Sequence, residues 1–285
     1  MTDGRIDHTA RAPLAGLSRR TFLRAAGAGS AALIGLGAAE RAAASFQFSV
    51  LWQEGSGAQW VHAGLTFDEL EKLDADYMDK GLRIRCLTRW WSDDEPSKDQ
   101  AFHAVWREAT GEVRWHVGLS LDEFAKQDQA YFDAGLRIQA LAEVQQGRFG
   151  AIWRPGSGEQ RWHAGIAFEE LDALALSYFE RGLRVVALRR QSWDPNTFFS
   201  VWQPGDGAQW VHLGLDVNGF AAQDTTYFNQ GLRLTTLPSV WDGVWRPGGG
   251  AQWVHWQQSW DTFTKNDDAY VAQGLRIADL IVGGW

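Results

Sequence analysis

The chain contains one block of residues that occurs five times with constant internal spacing. In each copy a Trp is followed ten residues later by a His, then fifteen residues later by a Tyr, and then six residues later by the Arg of a Gly-Leu-Arg. Only the connectors between copies vary in length, from 12 to 23 residues. Because length changes are confined to connectors, the block is one structural unit, and the fold is predicted to be an array. The copies are Trp52–His62–Tyr77–Arg83, Trp106–His116–Tyr131–Arg137, Trp153–His163–Tyr178–Arg184, Trp202–His212–Tyr227–Arg233 and Trp245–His255–Tyr270–Arg276.

Residue types within one block predict the order strand, strand, helix, strand. Apolar residues precede the first Trp, and a Pro- and Gly-rich turn such as Arg154-Pro155-Gly156-Ser157-Gly158 leads to a second strand with the His. Thr66 followed three residues later by Glu69 has the form of a helix capping box, and Gly81 suits a helix end. The Gly-Leu-Arg then begins a third strand.

The sequence therefore predicts an α+β repeat protein with five strand-strand-helix-strand units in a domain over residues 45–285. We favour a closed propeller-like ring, because closure removes exposed strand edges, with Phe46–Trp52 pairing near Ile277–Val282. An open solenoid stays possible, since the departure Trp256-Gln257-Gln258 in the fifth block could be a cap. The units are about 46–90, 101–144, 148–192, 197–239 and 241–285.

Residues 1–44 resemble a twin-arginine export signal. Ser18-Arg19-Arg20-Thr21-Phe22-Leu23-Arg24 precedes a short stretch rich in Ala, Gly and Leu, and Ala42-Ala43-Ala44 offers small residues to a signal peptidase. We expect cleavage after Ala44 and export of a bacterial protein to the extracellular space or cell envelope. No later segment is apolar enough to be a transmembrane anchor.

Charge and cysteine content restrict the partners and the chemistry. The chain has 27 basic and 35 acidic residues, and the leader holds six Arg and three acids, which leaves 21 basic and 32 acidic residues. An acidic chain without basic runs argues against nucleic acid as a partner. The one cysteine, Cys86, cannot form an intrachain disulfide, and we expect a small strand residue there.

The block Trp-His-x-Gly-Leu…Tyr-x-x-x-Gly-Leu-Arg resembles the bacterial tandem repeat family also found in the N-terminal region of fungal polyglycine hydrolases. The resemblance covers residues 46–285. In those hydrolases a separate domain similar to serine β-lactamases carries a Ser-x-x-Lys nucleophile, and no lysine here has a Ser three residues before it. The resemblance thus implies a repeat module without its catalytic domain, and it transfers no catalytic residue.

The repeated polar residues predict a structural network within each unit. Buried polar groups must be paired, and a repeat can solve that problem the same way in each copy. An imidazole circle that binds metal is the alternative, but no copy has closely spaced ligands, so we expect no metal and no cofactor. The network comprises His62, His116, His163, His212, His255, Tyr77, Tyr131, Tyr178, Tyr227, Tyr270, Asp74, Asp128, Asp224, Asp267, Arg83, Arg137, Arg184, Arg233 and Arg276, with Ala175 in the third Asp position.

The position two residues before each His is the candidate ligand-binding position. The position one before His is always apolar, so it is predicted to face the core, and its neighbour faces the other way. Large aromatic and Arg side chains on a half-exposed face suit sugar or peptide recognition, although packing between repeats would use the same residues. The candidates are Trp60, Trp210, Trp253, Arg114 and Arg161.

Three functions remain open. The favoured one is a secreted, non-enzymatic repeat protein that binds an extracellular polysaccharide or peptide. The second is a hydrolase whose site is assembled across repeats. The third is a structural or accessory module for a separately encoded hydrolase. The hydrolase hypothesis requires polar residues that break the repeat to meet in one pocket, with Arg114, Arg161, Asp279, Glu143 and Cys86 as candidates.

Overall fold

The computed structural model describes residues 46–90, 101–145, 147–191, 194 and 196–283, with backbone only at residues 90 and 143–145. The predicted export signal, residues 1–44, lies outside the described residues. The described chain repeats the order strand, strand, helix, strand five times. The helices are α1 (Phe67–Asp79), α2 (Leu121–Asp133), α3 (Phe168–Glu180), α4 (Val217–Asn229) and α5 (Trp260–Ala272). The strands are β1 (Gln47–Glu54), β2 (Gln59–Leu65), β3 (Leu82–Trp90), β4 (Ala101–Glu108), β5 (Arg114–Leu119), β6 (Leu136–Gln145), β7 (Arg148–Pro155), β8 (Arg161–Ala167), β9 (Leu183–Arg190), β10 (Thr197–Pro204), β11 (Trp210–His212), β12 (Leu232–Thr236), β13 (Gly243–Pro247), β14 (Gln252–Gln258) and β15 (Leu275–Gly283).

All five helices have 13 residues, and four of them begin with a side-chain cap, whereas Ala167 before α3 supplies none. At the start of α1 the Thr66 hydroxyl accepts the Glu69 N–H, and the Glu69 carboxylate accepts the Thr66 N–H at 2.8 Å. This is the predicted capping box, which supplies partners for N–H groups that have none inside the helix. After the last turn Gly81 takes a φ of 76°, which costs a glycine little.

Each sheet has three antiparallel strands, and in four of the five sheets the central strand comes from the next block along the chain. The sheet orders are β2-β4-β3, β5-β7-β6, β8-β10-β9, β11-β13-β12 and β14-β1-β15. The second and third strands of a block therefore flank the first strand of its successor. A block as read from the sequence is thus not the unit that forms a sheet.

The first strand of the chain lies in the same sheet as its last two strands. β1 pairs with β14, where Trp52 lies opposite Trp253, and with β15, where Phe48 lies opposite Val282 and Trp52 opposite Ile277. The pairing of β1 with the final strand agrees with the prediction from the sequence. In this sheet β1 takes the central place that the following block fills in the other four.

The predicted closed propeller-like ring is wrong. The strands form five separate sheets of three strands, and no barrel or propeller closes among the described residues. A central strand such as β4 pairs on both sides, but the flanking strands β2 and β3 form no ladder with another sheet. The outer edges of the flanking strands therefore remain unpaired with another sheet, and the fold does not remove them by closure.

The repeated first Trp is the largest side chain of each core region. All five of these indoles are fully buried, and each belongs to a cluster that includes an apolar residue of a helix, such as Leu70 of α1 for Trp106 or Phe263 of α5 for Trp52. Burial of an aromatic side chain of this size makes truncation to Ala cost about 3–5 kcal/mol. The five are Trp52, Trp106, Trp153, Trp202 and Trp245.

Candidate functional site

Every block holds one hydrogen bond between its His and its Tyr. The His lies on the second strand and the Tyr near the end of the helix, and each His Nε2 lies 2.6–2.8 Å from the Tyr hydroxyl. The bond fixes the helix onto its strand and orients both rings. The pairs are His62–Tyr77, His116–Tyr131, His163–Tyr178, His212–Tyr227 and His255–Tyr270.

Burial shifts the acid–base equilibria of these pairs. It lowers the pKa of His62, and it raises the pKa of Tyr77 to about 12 with a smaller contribution from the charge of Asp76. It also lowers the pKa of His163 and His212. A neutral imidazole beside a neutral phenol is therefore the form at neutral pH, which suits a structural hydrogen bond.

The repeated Asp binds the Trp of the next block rather than the His or Tyr of its own. The Trp106 Nε1–H donates to Asp74 at 2.8 Å, and the Trp52 Nε1–H donates to Asp267 at 2.9 Å. Where Ala175 replaces the Asp, the Trp202 Nε1–H donates to the Ser200 hydroxyl at 3.0 Å. The carboxylate thus links two blocks, because the strand that carries each repeated Trp lies in a sheet with strands of another block. The other two links are Trp153–Asp128 and Trp245–Asp224.

The repeated Arg also joins neighbouring blocks. Arg137 Nη1 donates to the Phe132 carbonyl at the end of α2, and Arg137 Nε donates to the Gly158 carbonyl in the next turn at 2.9 Å. Its guanidinium lies 3.5 Å above the centre of the Phe132 ring. One side chain therefore caps a helix and anchors the following hairpin. The bonds to the next turn are Arg83–Gly111, Arg137–Gly158, Arg184–Gly207, Arg233–Gly250 and Arg276–Gly57.

The predicted network is thus divided in two. His and Tyr pair within a block, whereas Asp and Arg bind groups of the next block. Sequence reasoning also missed a Gln: the Gln160 amide donates to Asp128 at 2.9 Å and accepts the Ile138 N–H at 2.8 Å. Its recurrence three residues before the His was a usable signal. The residues at that position are Gln59, Gln160, Gln209 and Gln252.

The Trp–Asp link can be tested with a matched pair of variants. Trp106→Phe and Trp202→Phe both remove a fully buried indole, but only the first deprives a carboxylate of one of its donors, since Trp106 donates to Asp74 whereas Trp202 donates to Ser200. Because hydrogen bonds to charged groups are the stronger ones, we expect Trp106→Phe to lower the free energy of unfolding by about 1–2 kcal/mol more than Trp202→Phe. Urea unfolding measures both, and equal losses would contradict a role for the Asp.

The candidate ligand-binding position lies over the Tyr ring of its block. Trp60 stacks on Tyr77 with an interplanar angle of 17°, and Trp210 on Tyr227 with 19°. These two indoles are 40% and 48% exposed. Trp253 stacks in the same way on its own Tyr but is buried, at 4% exposure. We name the exposed residues Trp60, Arg114, Arg161 and Trp210 the second-strand face.

Arg114 and Arg161 hold this position in the second and third blocks. Each uses Nε to donate to a nearby Glu at 2.7 Å, Arg114 to Glu112 and Arg161 to Glu159. The apolar neighbour of each is a Trp that binds the preceding block: the Trp115 Nε1–H donates to Asp74 at 2.7 Å. Trp162 does the same to Asp128 at 2.9 Å. In the second and third blocks an exposed Arg and an inward-facing indole therefore replace the exposed Trp of the first and fourth blocks.

The residues proposed for a hydrolase site do not converge. Cys86 and Asp279 line one narrow cavity, but Arg114 and Arg161 lie on the second-strand face, and the side chain of Glu143 lies outside the described residues. Burial raises the pKa of the Cys86 thiol to about 12, so a thiolate does not form at neutral pH. Among the described residues no group of three His, Cys, Asp or Glu could hold a metal ion. None of the five helices could span a bilayer.

One comparison with known proteins bears on the fifth block. The family model of the polyglycine hydrolase-like structural repeat matches residues 249–283. A search of curated proteins finds no match. The matched segment contains β14, α5 and β15, with the His255–Tyr270 pair, Asp267 and Arg276. The predicted resemblance is therefore confirmed for residues 249–283, which are similar to the polyglycine hydrolase-like structural repeat.

Proposed function

We propose that the protein is a non-enzymatic module that binds an extracellular polysaccharide or peptide on the second-strand face. The observation that carries the proposal is the exposure of Trp60 and Trp210, while each indole stacks on a Tyr of its own block. Exposed indoles supply flat apolar surfaces that stack on sugar rings or on apolar peptide side chains.

The supporting contacts hold these indoles ready for a ligand. His62 lies 2.6 Å from the Tyr77 hydroxyl, and the Tyr77 ring supports Trp60 from below. His212 and Tyr227 do the same for Trp210 at 2.7 Å. A side chain held in place before binding loses less conformational freedom on binding, which favours affinity.

The two arginines of the face complement the indoles with directed donors. Arg114 and Arg161 engage their Glu neighbours through Nε, which leaves the terminal Nη groups for other acceptors. Exposed ion pairs of this kind contribute little to stability, so they orient the side chains rather than hold the fold. Ligand hydroxyl, carbonyl or carboxylate oxygens are suitable acceptors for the Nη groups.

The proposal includes export by the twin-arginine pathway, which the Arg19-Arg20 motif supports, and a place outside the cytoplasm or in the cell envelope. The resemblance to a hydrolase-associated repeat supports a further part of the proposal. A separately encoded hydrolase would be a suitable partner, with this module holding its polymer.

The test is a glycan and peptide array followed by titration of the ligand with variants of the face. We expect Trp60→Ala and Trp210→Ala each to weaken binding about tenfold, or about 1.4 kcal/mol, because each removes a stacking surface. Leu176→Ala is the control, since Leu176 is 66% exposed on α3 and outside the face. Circular dichroism checks the fold. Undiminished affinity in both Trp variants, or arrays without a ligand, would refute the proposal.

A further inference from the structure

The third strands of all five blocks meet at one narrow cavity. The residue two positions after each repeated Arg lies in its lining. These residues differ between blocks, and only one of them is charged. They are Arg85, Gln139, Val186, Thr235 and Ala278.

Two further guanidiniums lie near Arg85. Arg154 Nη2 donates to the carbonyl of Ile84, the residue before Arg85, at 2.7 Å. Arg107 Nη1 donates to the carbonyl of Ile277, the residue before Ala278 of the cavity wall, at 3.4 Å. Arg85, Arg107 and Arg154 are all partly buried, and we name them the arginine cluster.

No acidic side chain of the described residues neutralises this cluster. The salt bridges of the described chain involve other arginines. Asp279 also lines the cavity, but its carboxylate already accepts hydrogen bonds from Arg189, Thr236 and the Leu237 N–H. Burial, and then the charge of Arg85, lower the pKa of Arg107, and they lower that of Arg154 to about 10. Three like charges therefore repel one another in an otherwise acidic protein.

We propose that the arginine cluster binds a tetrahedral oxyanion, phosphate or sulfate, either free or as a monoester on a larger ligand. Guanidinium groups present paired donors that match the oxygens of such anions, and partial burial strengthens the attraction. A doubly charged anion compensates three cations better than a carboxylate does. The amide of Gln139 lies in the same cavity wall and can donate a neutral N–H contact.

The test uses the full chain with inorganic phosphate as probe, at an ionic strength kept constant with sodium chloride. We expect calorimetry to detect binding and the melting temperature to rise with phosphate, because a ligand of the folded state stabilises it. Arg85→Gln, which introduces the residue that the second block carries as Gln139, should weaken binding at least tenfold. Without phosphate the same variant should melt no lower than wild type, because it relieves the repulsion.

A control variant, a replacement variant and two further anions make the result specific to the arginine cluster and identify the kind of anion that binds. Arg148→Gln removes an exposed Arg paired with Glu123 at 3.4 Å and should leave phosphate affinity unchanged. Arg107→Gln, which matches Gln53 and Gln203 of other blocks, replaces Arg85→Gln if that variant does not fold. Binding of sulfate or glycerol 3-phosphate supports the proposal and identifies a free anion or an ester as the ligand.

Three results would overturn the proposal: identical melting of wild type in phosphate and chloride, unchanged affinity in Arg85→Gln, or acetate binding as tightly as phosphate. The arginine cluster shares no residue with the second-strand face. A negative result for phosphate binding would therefore leave the proposed binding of a polymer on the second-strand face intact.

Discussion

Asp279→Ala is expected to lower the free energy of unfolding by about 3–5 kcal/mol, because it leaves a buried guanidinium without its counter-charge. Asp279 forms a two-pronged ion pair with Arg189, whose Nη1 donates at 3.0 Å and whose Nη2 donates to the other oxygen. The carboxylate also accepts the Leu237 N–H at 2.7 Å and the Leu280 N–H at 2.9 Å. The variant removes the acceptor of all of these donors at once, although Ala is the natural residue at this position in two other blocks.

A double-mutant cycle separates the ion pair from the loss of packing. Arg189→Thr places the residue that the first block carries as Thr88. Because the double variant buries no unpaired charge, we expect it to be more stable than Asp279→Ala alone. Urea unfolding of the four proteins gives the coupling energy. Additive losses in the double variant would show that the pair contributes nothing beyond its separate side chains.

Acidification is expected to destabilise wild type more steeply than His103→Leu. His103 is fully buried, neither ring nitrogen has a hydrogen-bond partner among the described residues, and its ring packs edge-on against Phe46 at 4.6 Å between centroids. Burial lowers its pKa from 6.5 to about 3. Between pH 6.5 and about 3, His103 is therefore charged in the unfolded chain and neutral in the folded one.

The sign of this effect follows from proton uptake. Between pH 6.5 and about 3 the unfolded state binds one more proton at His103, so stability is full above pH 6.5 and falls as pH is lowered. The slope is about 1.4 kcal/mol per pH unit, or about 3 kcal/mol by pH 4. Burial raises the pKa of Asp267 to about 6, which acts in the opposite direction in part of the same window. Asp267 is present in both proteins, so their difference isolates His103.

The measurement is urea unfolding of wild type and His103→Leu from pH 7.5 to pH 4. At pH 7.5 the variant should be at least as stable as wild type, because it removes two buried nitrogen atoms that lack partners. The stability difference should then grow in favour of the variant as pH falls. Parallel curves over the whole range would contradict the prediction.

The sequence was sufficient for features that depend on neighbours within one block. The capping box at Thr66 and the Gly81 helix end follow from local backbone chemistry. The pairing of His62 with Tyr77 follows from one strand and one helix that the block itself joins. Such contacts recur at fixed spacing, so periodicity reveals them.

Contacts between blocks could not be predicted in the same way. Spacing places Asp74 beside Tyr77, but Asp74 binds Trp106, whose strand inserts into the sheet of the block before it. The closed ring was predicted because closure removes exposed strand edges, but the strands form five separate sheets of three. The arginine cluster was missed because Arg107 and Arg154 follow the repeated Trp of the second and third blocks, whereas Arg85 lies on the third strand of the first block, and only the tertiary fold brings them together.

The exchange of central strands has a consequence for how such a protein can be divided. A fragment cut at the limits of one block would contain two flanking strands without the central strand that pairs with both. Its own first strand would lack the two flanking strands with which it pairs in the full chain. In two copies of that fragment, the first strand of each copy could take the central place in the sheet of the other, which is a route to domain-swapped dimers. A fragment that contains a complete sheet therefore begins at the second strand of one block and ends after the first strand of the next.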